Sequence, residues 1–593
     1  TAADPPIFVM SGGDMTAWNR TVLSFVFVGS MLLSACGSAP APDPTKPPAP
    51  VTASTKGSDA STTSAPDATA SIDATATTVA PAAGASSNAD LGFRADPNGF
   101  AFANYGNEKK PVNLTAVEMR RMFGDGVCAR IEGDVCTLTP IADQQMQQVN
   151  ASMGGGHCEG FAVLSLLMYS GKVDASKFGA DTIAGLTLDG NEMLQREIAY
   201  WFTTQYTQPA KGSIIRGTPA EVTAKLAAAY ANGKTSSDTY AVGIYKADRT
   251  GGHAVTAYEV VDKGNGLFWI MVYDNNAPKK ERHIDVDVNA NSWQYEASPN
   301  PSIQSELYKG DANTNTLEIV PNAPRIGQQV CNFCTQPTGS KGGNSLATPV
   351  TKYNQIWLQG KSQLLITNDA GQKLGFDGAR FVSTIPDASV DFNKGDYDPL
   401  NENEPPVYNI PVGMNVTAVL DGNNLKAEHD PTDLTMIGPG YYIGVEGIFM
   451  DKGEKDTMSI AGDGKSITYH TDYTETPDII LGVDGKEADF EFDLYGSNIT
   501  SGSDTNVSYD PDKGVAVITT NSTEPSQFAM KISRFDDKST QTFDGDKVTL
   551  SAKDKLTLSY GNWGGNGKGL EATIDHGGTG TNIEKLTLAD TSK

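Results

Sequence analysis

The sequence predicts an α+β domain organised around a helix-borne cysteine, followed by an all-β, sandwich-like region. Three observations predict this. A glycine-rich turn, Gly154-Gly155-Gly156-His157, runs into Cys158-Glu159-Gly160-Phe161 and the apolar stretch 162–168, as a loop feeding a buried helix does. Within residues 92–336, helix-period segments give way to strand-period segments. Beyond residue 351 nearly every periodic segment has a period of two, with turn signals between.

At 593 residues the chain is too long for a single core. Composition divides it into 1–36, 37–91, 92–336, 337–351, 352–455 and 456–593. A net charge of −26 argues against nucleic acid, and against an anionic membrane surface as an electrostatic partner.

Near the start, Arg20 and the apolar run 22–33 form the n- and h-regions of a signal peptide too short to span a bilayer stably. The run ends in Leu33-Ser34-Ala35-Cys36, which resembles the bacterial lipobox. That resemblance implies lipidation of Cys36 and a membrane-anchored lipoprotein on the bacterial cell surface. It also implies an exported, disulfide-permissive compartment. Residues 37–91 are mostly Ala, Ser, Thr, Pro and Asp. They hold too little apolar surface to offset ordering entropy, so a disordered stalk is expected.

Folded sequence starts near Leu91. Thr115-Ala116-Val117-Glu118 is a capping box opening a helix through Phe123. Cys128 and Cys136 flank a Gly133-Asp134 turn, and an exported context favours a disulfide over half a metal site. Residues 140–150 and 192–205 read as helices. Thr218-Pro219-Ala220-Glu221 caps another through Tyr230. Strand patterns follow at 240–245, 253–261 and 267–273, the last two joined by the turn 262–266 and closed by Asp274-Asn275-Asn276. Cys331 and Cys334 are expected to pair as a small disulfide at the domain end. Further strands are predicted at 363–367, 407–410, 415–420, 441–449, 479–483, 515–520, 528–532 and 548–558. The β region is expected to form a sandwich, with two units meeting near 449–462.

Placement gives the chemistry. Unpaired N–H groups at a helix N-terminus favour a thiolate, the nucleophilic form of cysteine. His253 opens one strand of a hairpin and Asp274-Asn275 closes its partner, so antiparallel pairing sets them side by side. A group holding the far nitrogen of a histidine fixes the tautomer able to take a thiol proton.

Gly-His-Cys-Glu-Gly-Phe, Gly-Gly-His-Ala-Val and Val-Tyr-Asp-Asn, in this order, resemble the papain-like cysteine peptidase superfamily over about residues 113–320. The resemblance implies Cys158 as nucleophile, His253 as general base and Asp274 or Asn275 as the orienting group. It implies an oxyanion hole from the Cys158 amide and a side-chain amide upstream, Asn150 or Gln148. Papain carries a glutamine six residues before its cysteine, where this chain has Ser152. The expected function is a peptidase or amidase acting on peptide or cell-wall substrates as a monomer. A transglutaminase-type acyl transferase and a non-catalytic surface adhesin are the alternatives. No metal or other cofactor is expected. His429, His470 and His576 are scattered singly, and the carboxylate-rich 396–404 lacks a complete calcium-loop template.

Overall fold

Helix α1 (Ala116–Phe123) starts where the sequence places it, at Thr115 with a complete capping box to Glu118. Helix α2 (Pro140–Ala151) is capped by Thr139, with Pro140 at the first helical position, where no N–H is required. Helix α3 (Cys158–Tyr169) is buried from Cys158 through Met168, which suits a helix apolar on every face. Helix α4 (Glu192–Thr203) crosses it closely. A Cβ on Gly160 would stand 2.2 Å from the Ile198 carbonyl oxygen, so only glycine allows the approach. Helix α5 (Pro219–Tyr230) has the second capping box, Thr218 with Glu221.

These helices surround an antiparallel sheet: β1 (Tyr240–Tyr245), β2 (Gly252–Gly264), β3 (Leu267–Tyr273), β4 (Glu281–Asp287), β5 (Ser292–Ala297), β6 (Glu306–Asp311) and β7 (Leu317–Pro321). The order is β6-β5-β4-β3-β2-β1-β7, a six-strand meander with β7 returning to the far edge of β1, and the short strands Ile215–Arg216 beside β7 and Ala89–Asp90 beside β2 complete nine. Alternation along β2 serves both faces. The Thr256 hydroxyl donates to the α3 carbonyl of Ala162, while Val255 and Ala257 share a core with Val222, Leu226 and Tyr230 of α5. Cys128–Cys136 and Cys331–Cys334 stand at disulfide distance.

The computed structural model describes residues 89–592 except 248–250, 299, 303, 336–352, 379, 393, 395–405 and 497. The lipobox with Cys36, nearly all of the 37–91 stalk, the 337–351 linker and the acidic 396–404 stretch lie outside the described residues. Among the described residues no helix is long and apolar enough to cross a membrane.

The β-rich region consists of two antiparallel sheets of nine and eleven strands. Their facing side chains form one hydrophobic core. Hairpins alternate between the sheets. Those starting at His429, Asp478 and Ser526 lie in one, and those starting at Lys455, Ser503 and Lys555 lie in the other. Both sheets take strands from 352–455 and from 456–593, so no break falls near 449–462. The 548–558 stretch, expected as one strand, is two. Thr540–Leu550 and Lys555–Leu558 lie in different sheets, separated by a turn in which Lys553 has φ +70°.

The nine-strand sheet is buried on both faces where it meets the helical half. In Tyr353–Gln359, Ile356 and Leu358 enter the inter-sheet core, while Trp357 packs outward on Tyr206. Gln148 of α2 donates to the Thr435 hydroxyl and accepts from Gln359, joining the helical half to this sheet.

Candidate active site

Cys158 is the first residue of α3, fully buried and free of any disulfide. The loop before it is pinned from several sides. The His157 amide donates to Asn104 Oδ1, and Asn300 Nδ2 donates to the Gly155 carbonyl. The His157 ring stacks on Tyr105 and is held at one nitrogen by the Tyr105 carbonyl (2.7 Å) and at the other by Asn113 (2.9 Å). Burial pushes its pKa down to about 4, against the pull of that carbonyl, so His157 is a neutral strut for the loop.

The β2–β3 hairpin contains two register shifts, and Thr256 faces Tyr273. This register carries Asp274, just past the end of β3, to the start of β2. There His253 Nε2 meets Asp274 Oδ1 at 2.9 Å. Tyr295 of β5 donates its hydroxyl to Asp274 Oδ2 at 2.6 Å, and the Asn276 amide donates to Oδ1. With Nε2 donating to a carboxylate, Nδ1 is the nitrogen left to accept a proton. It is buried without a hydrogen-bond partner. Burial opposes charge on this ring, but the charge and hydrogen bond of Asp274, with a smaller contribution from Cys158, outweigh it and raise the His253 pKa to about 10. Burial likewise opposes the Asp274 carboxylate, and its His253 and Tyr295 partners hold it below the usual range.

The structure therefore brings Cys158, His253 and Asp274 together. Asn275 takes another position: its Nδ2 donates to the carbonyls of Cys158 and Ala254, tying the helix start to β2. Of the two orienting candidates, Asp274 faces the imidazole. Neither upstream amide is directed to the thiol. Asn150 Nδ2 donates to the Leu114 carbonyl, and Gln148 Nε2 to Thr435. The oxyanion donor that helix geometry leaves open is the Cys158 backbone N–H at the first position of α3.

Four residues beside the site escaped sequence reasoning. Tyr295 carried a usable signal, since Trp293, Tyr295 and Ala297 alternate inward along β5. Glu159, Glu318 and Lys394 did not. The Glu159 carboxylate is completely buried, 2.5 Å from Arg325 and 3.0 Å from Lys394 Nζ. The Cys158 thiol donates to the Lys394 carbonyl oxygen at 3.3 Å.

Among the described residues one group has the spacing of metal ligands, and it lies in the double sheet: Glu454, Asp456 and Glu475, with ligand oxygens within 4.8 Å of one another. No family model, curated protein or solved structure matches this chain.

Proposed function

We propose that the chain is a papain-like thiol hydrolase that cleaves peptide or amide bonds, exported and held at the cell surface through a lipid on Cys36. The observation that carries the reading is His253, fixed at Nε2 by Asp274 with Nδ1 unengaged and the Cys158 thiol beside it.

The steps follow from that arrangement. Its raised pKa lets His253 draw the thiol proton onto Nδ1, giving an imidazolium–thiolate pair, and the sulfur then attacks the substrate carbonyl carbon. The Cys158 N–H stabilises the resulting oxyanion. The C–N bond breaks as the imidazolium gives its proton to the departing amine. Water then attacks the thioester, its proton passing through His253, which releases a carboxylic acid and restores the thiol. Asp274, with Tyr295 behind it, holds the ring in the needed tautomer throughout.

Incubating the full chain with peptides, with solubilised cell-wall fragments and with a fluorescent primary amine tests the reading. New amino termini that vanish with Cys158→Ala are the expected result. Equal turnover by Cys158→Ala would overturn it, and incorporation of the amine at glutamine would identify an acyl transferase instead.

A further inference from the structure

Lys394 belongs to the β-rich half, between the strands Ser389–Asp391 and Val407–Pro411, yet it ends beside the thiol. Its side chain is 96% buried, with Nζ 3.0 Å from Glu159 Oε2 and 3.5 Å from Glu318 Oε1. The other oxygen of each carboxylate is held independently. Arg325 takes Glu159 Oε1 at 2.5 Å and Arg216 takes Glu318 Oε2 at 2.8 Å, while the Tyr245 hydroxyl donates to Glu318 Oε1 at 2.9 Å. Two carboxylates are thus fixed in place, each presenting one oxygen to a cation that arrives from elsewhere in the chain. Gly243 of β1 leaves the space for that cation's stem: a Cβ there would stand 2.9 Å from Glu318 Cγ and 3.0 Å from Lys394 Cε.

The backbone of the same residue meets the nucleophile. A thiol that donates its proton to a carbonyl oxygen is not attacking the carbonyl carbon, so Lys394 occupies the site without reacting. We infer that Glu159 and Glu318 form a subsite for a cationic side chain next to Cys158, filled in this chain by its own Lys394. The inference rests on the thiol-hydrolase reading. It adds that the substrates carry lysine or arginine beside the bond to be broken, and that the site is latent until Lys394 withdraws.

The test uses the full chain with Lys394→Ala and follows alkylation of Cys158 by iodoacetamide. The expected result is labelling at least ten-fold faster than in the parent chain. Millimolar Nα-acetyl-lysine amide should slow it again, whereas Nα-acetyl-leucine amide should not, and adding Glu318→Gln should remove the protection. An unchanged labelling rate in a chain folded by circular dichroism, or equal protection by both amides, would overturn the inference. Should Lys394→Ala unfold the protein, Lys394→Met gives the same test by removing the ammonium while keeping an apolar stem beside Gly243, and faster labelling is again expected. Lysine-selective protection without hydrolysis of any peptide would support the subsite and overturn the hydrolase reading, so the two failures are distinguishable.

A second site stands on separate observations in the double sheet. Glu454, Asp456 and Glu475 are at most 8% exposed, and Glu454 Oε1, Asp456 Oδ1 and Glu475 Oε1 have no hydrogen-bond partner. Tyr469 approaches Asp456 Oδ2 at 2.8 Å and Glu475 Oε2 at 2.5 Å, but its hydroxyl has a single proton for both. Oxygens about 2.4 Å from a shared calcium ion stand at most about 4.8 Å apart, and one oxygen from each of these three carboxylates lies within that limit of the others. The geometry points to a hard divalent cation, calcium foremost, bound by these three carboxylates. The thermal midpoint of the full chain at pH 8 should rise by several degrees from 1 mM EDTA to 1 mM calcium chloride, and Asp456→Asn should abolish the rise. Identical midpoints in the two buffers would overturn the assignment.

Discussion

Two buried acidic groups in this molecule behave in opposite ways. Burial works against the charge of both Glu159 and Glu318, yet Lys394, Arg325 and Arg216 hold their pKa values below the ordinary carboxylate range. Glu454 and Glu475 are buried without such partners, and burial, reinforced by neighbouring carboxylates, raises both to about 7. The difference lies in the counter-cations rather than in depth. In the helical half a set of positive groups fixes two carboxylates beside a nucleophile. In the double sheet the positive charge has to come from a proton or a bound ion.

Removing a cation from the paired group should give the largest effect. Arg325→Met leaves Glu159 buried with Lys394 alone, and breaking a buried pair typically costs about 3–5 kcal/mol. Urea unfolding should show that loss. A chain with unchanged midpoint would mean that Lys394 alone satisfies Glu159.

Tyr295→Phe is a milder version of the same test on Asp274. Losing a hydrogen bond to a charged acceptor costs about 1.5–3 kcal/mol. The Asp274 carboxylate should then titrate higher, so the acid limb of the pH–turnover profile should move upward. An unmoved limb would show that His253 alone controls that carboxylate.

The two acidic groups should also respond to pH in opposite directions. Glu159 and Glu318 have lowered folded pKa values, so their stabilisation is present above the ordinary value of 4.5 and is lost as pH falls through the folded values. Glu454 and Glu475 have raised ones, so their contribution is present below 4.5 and is lost as pH rises through about 7. In chelator, Glu475→Gln should therefore flatten the stability profile between about pH 4.5 and 7 by about 1–2 kcal/mol and leave the range below 4.5 alone. A change confined to pH below 4.5 would contradict that assignment. His253 gives the widest limb. Its stabilisation is complete below 6.5 and fades as pH passes about 10, so thermal midpoints of the parent and His253→Gln should converge at high pH.

Legibility followed how local each signal was. Capping boxes at Thr115 and Thr218 are written within four residues, and both helices begin where their sequence places them. The His253–Asp274 pair was legible because one hairpin turn sets its register. Asp274 and Asn275 were indistinguishable in sequence, since both follow β3 directly and either amide or carboxylate can hold an imidazole; the structure turns Asp274 to the ring and Asn275 to the Cys158 carbonyl. Strands such as Ser503–Asp510 alternate cleanly, with one face buried. Asp478–Val483 reads instead as a continuous apolar run, because Ile479 and Leu481 enter the inter-sheet core and Ile480 meets the helical half. The alternation of hairpins between two sheets, and the arrival of Lys394 at Cys158, depend on long-range packing that no local pattern encodes.

The central claim is that Cys158 and His253 act as one unit. The most direct measurement is the second-order rate of Cys158 alkylation by iodoacetamide at neutral pH in chains that differ only by His253→Ala. Made with Lys394 intact and again with Lys394→Ala, the comparison is independent of the covering residue. The account predicts at least a ten-fold slower reaction without the imidazole in both backgrounds. Equal rates in the two chains would contradict it.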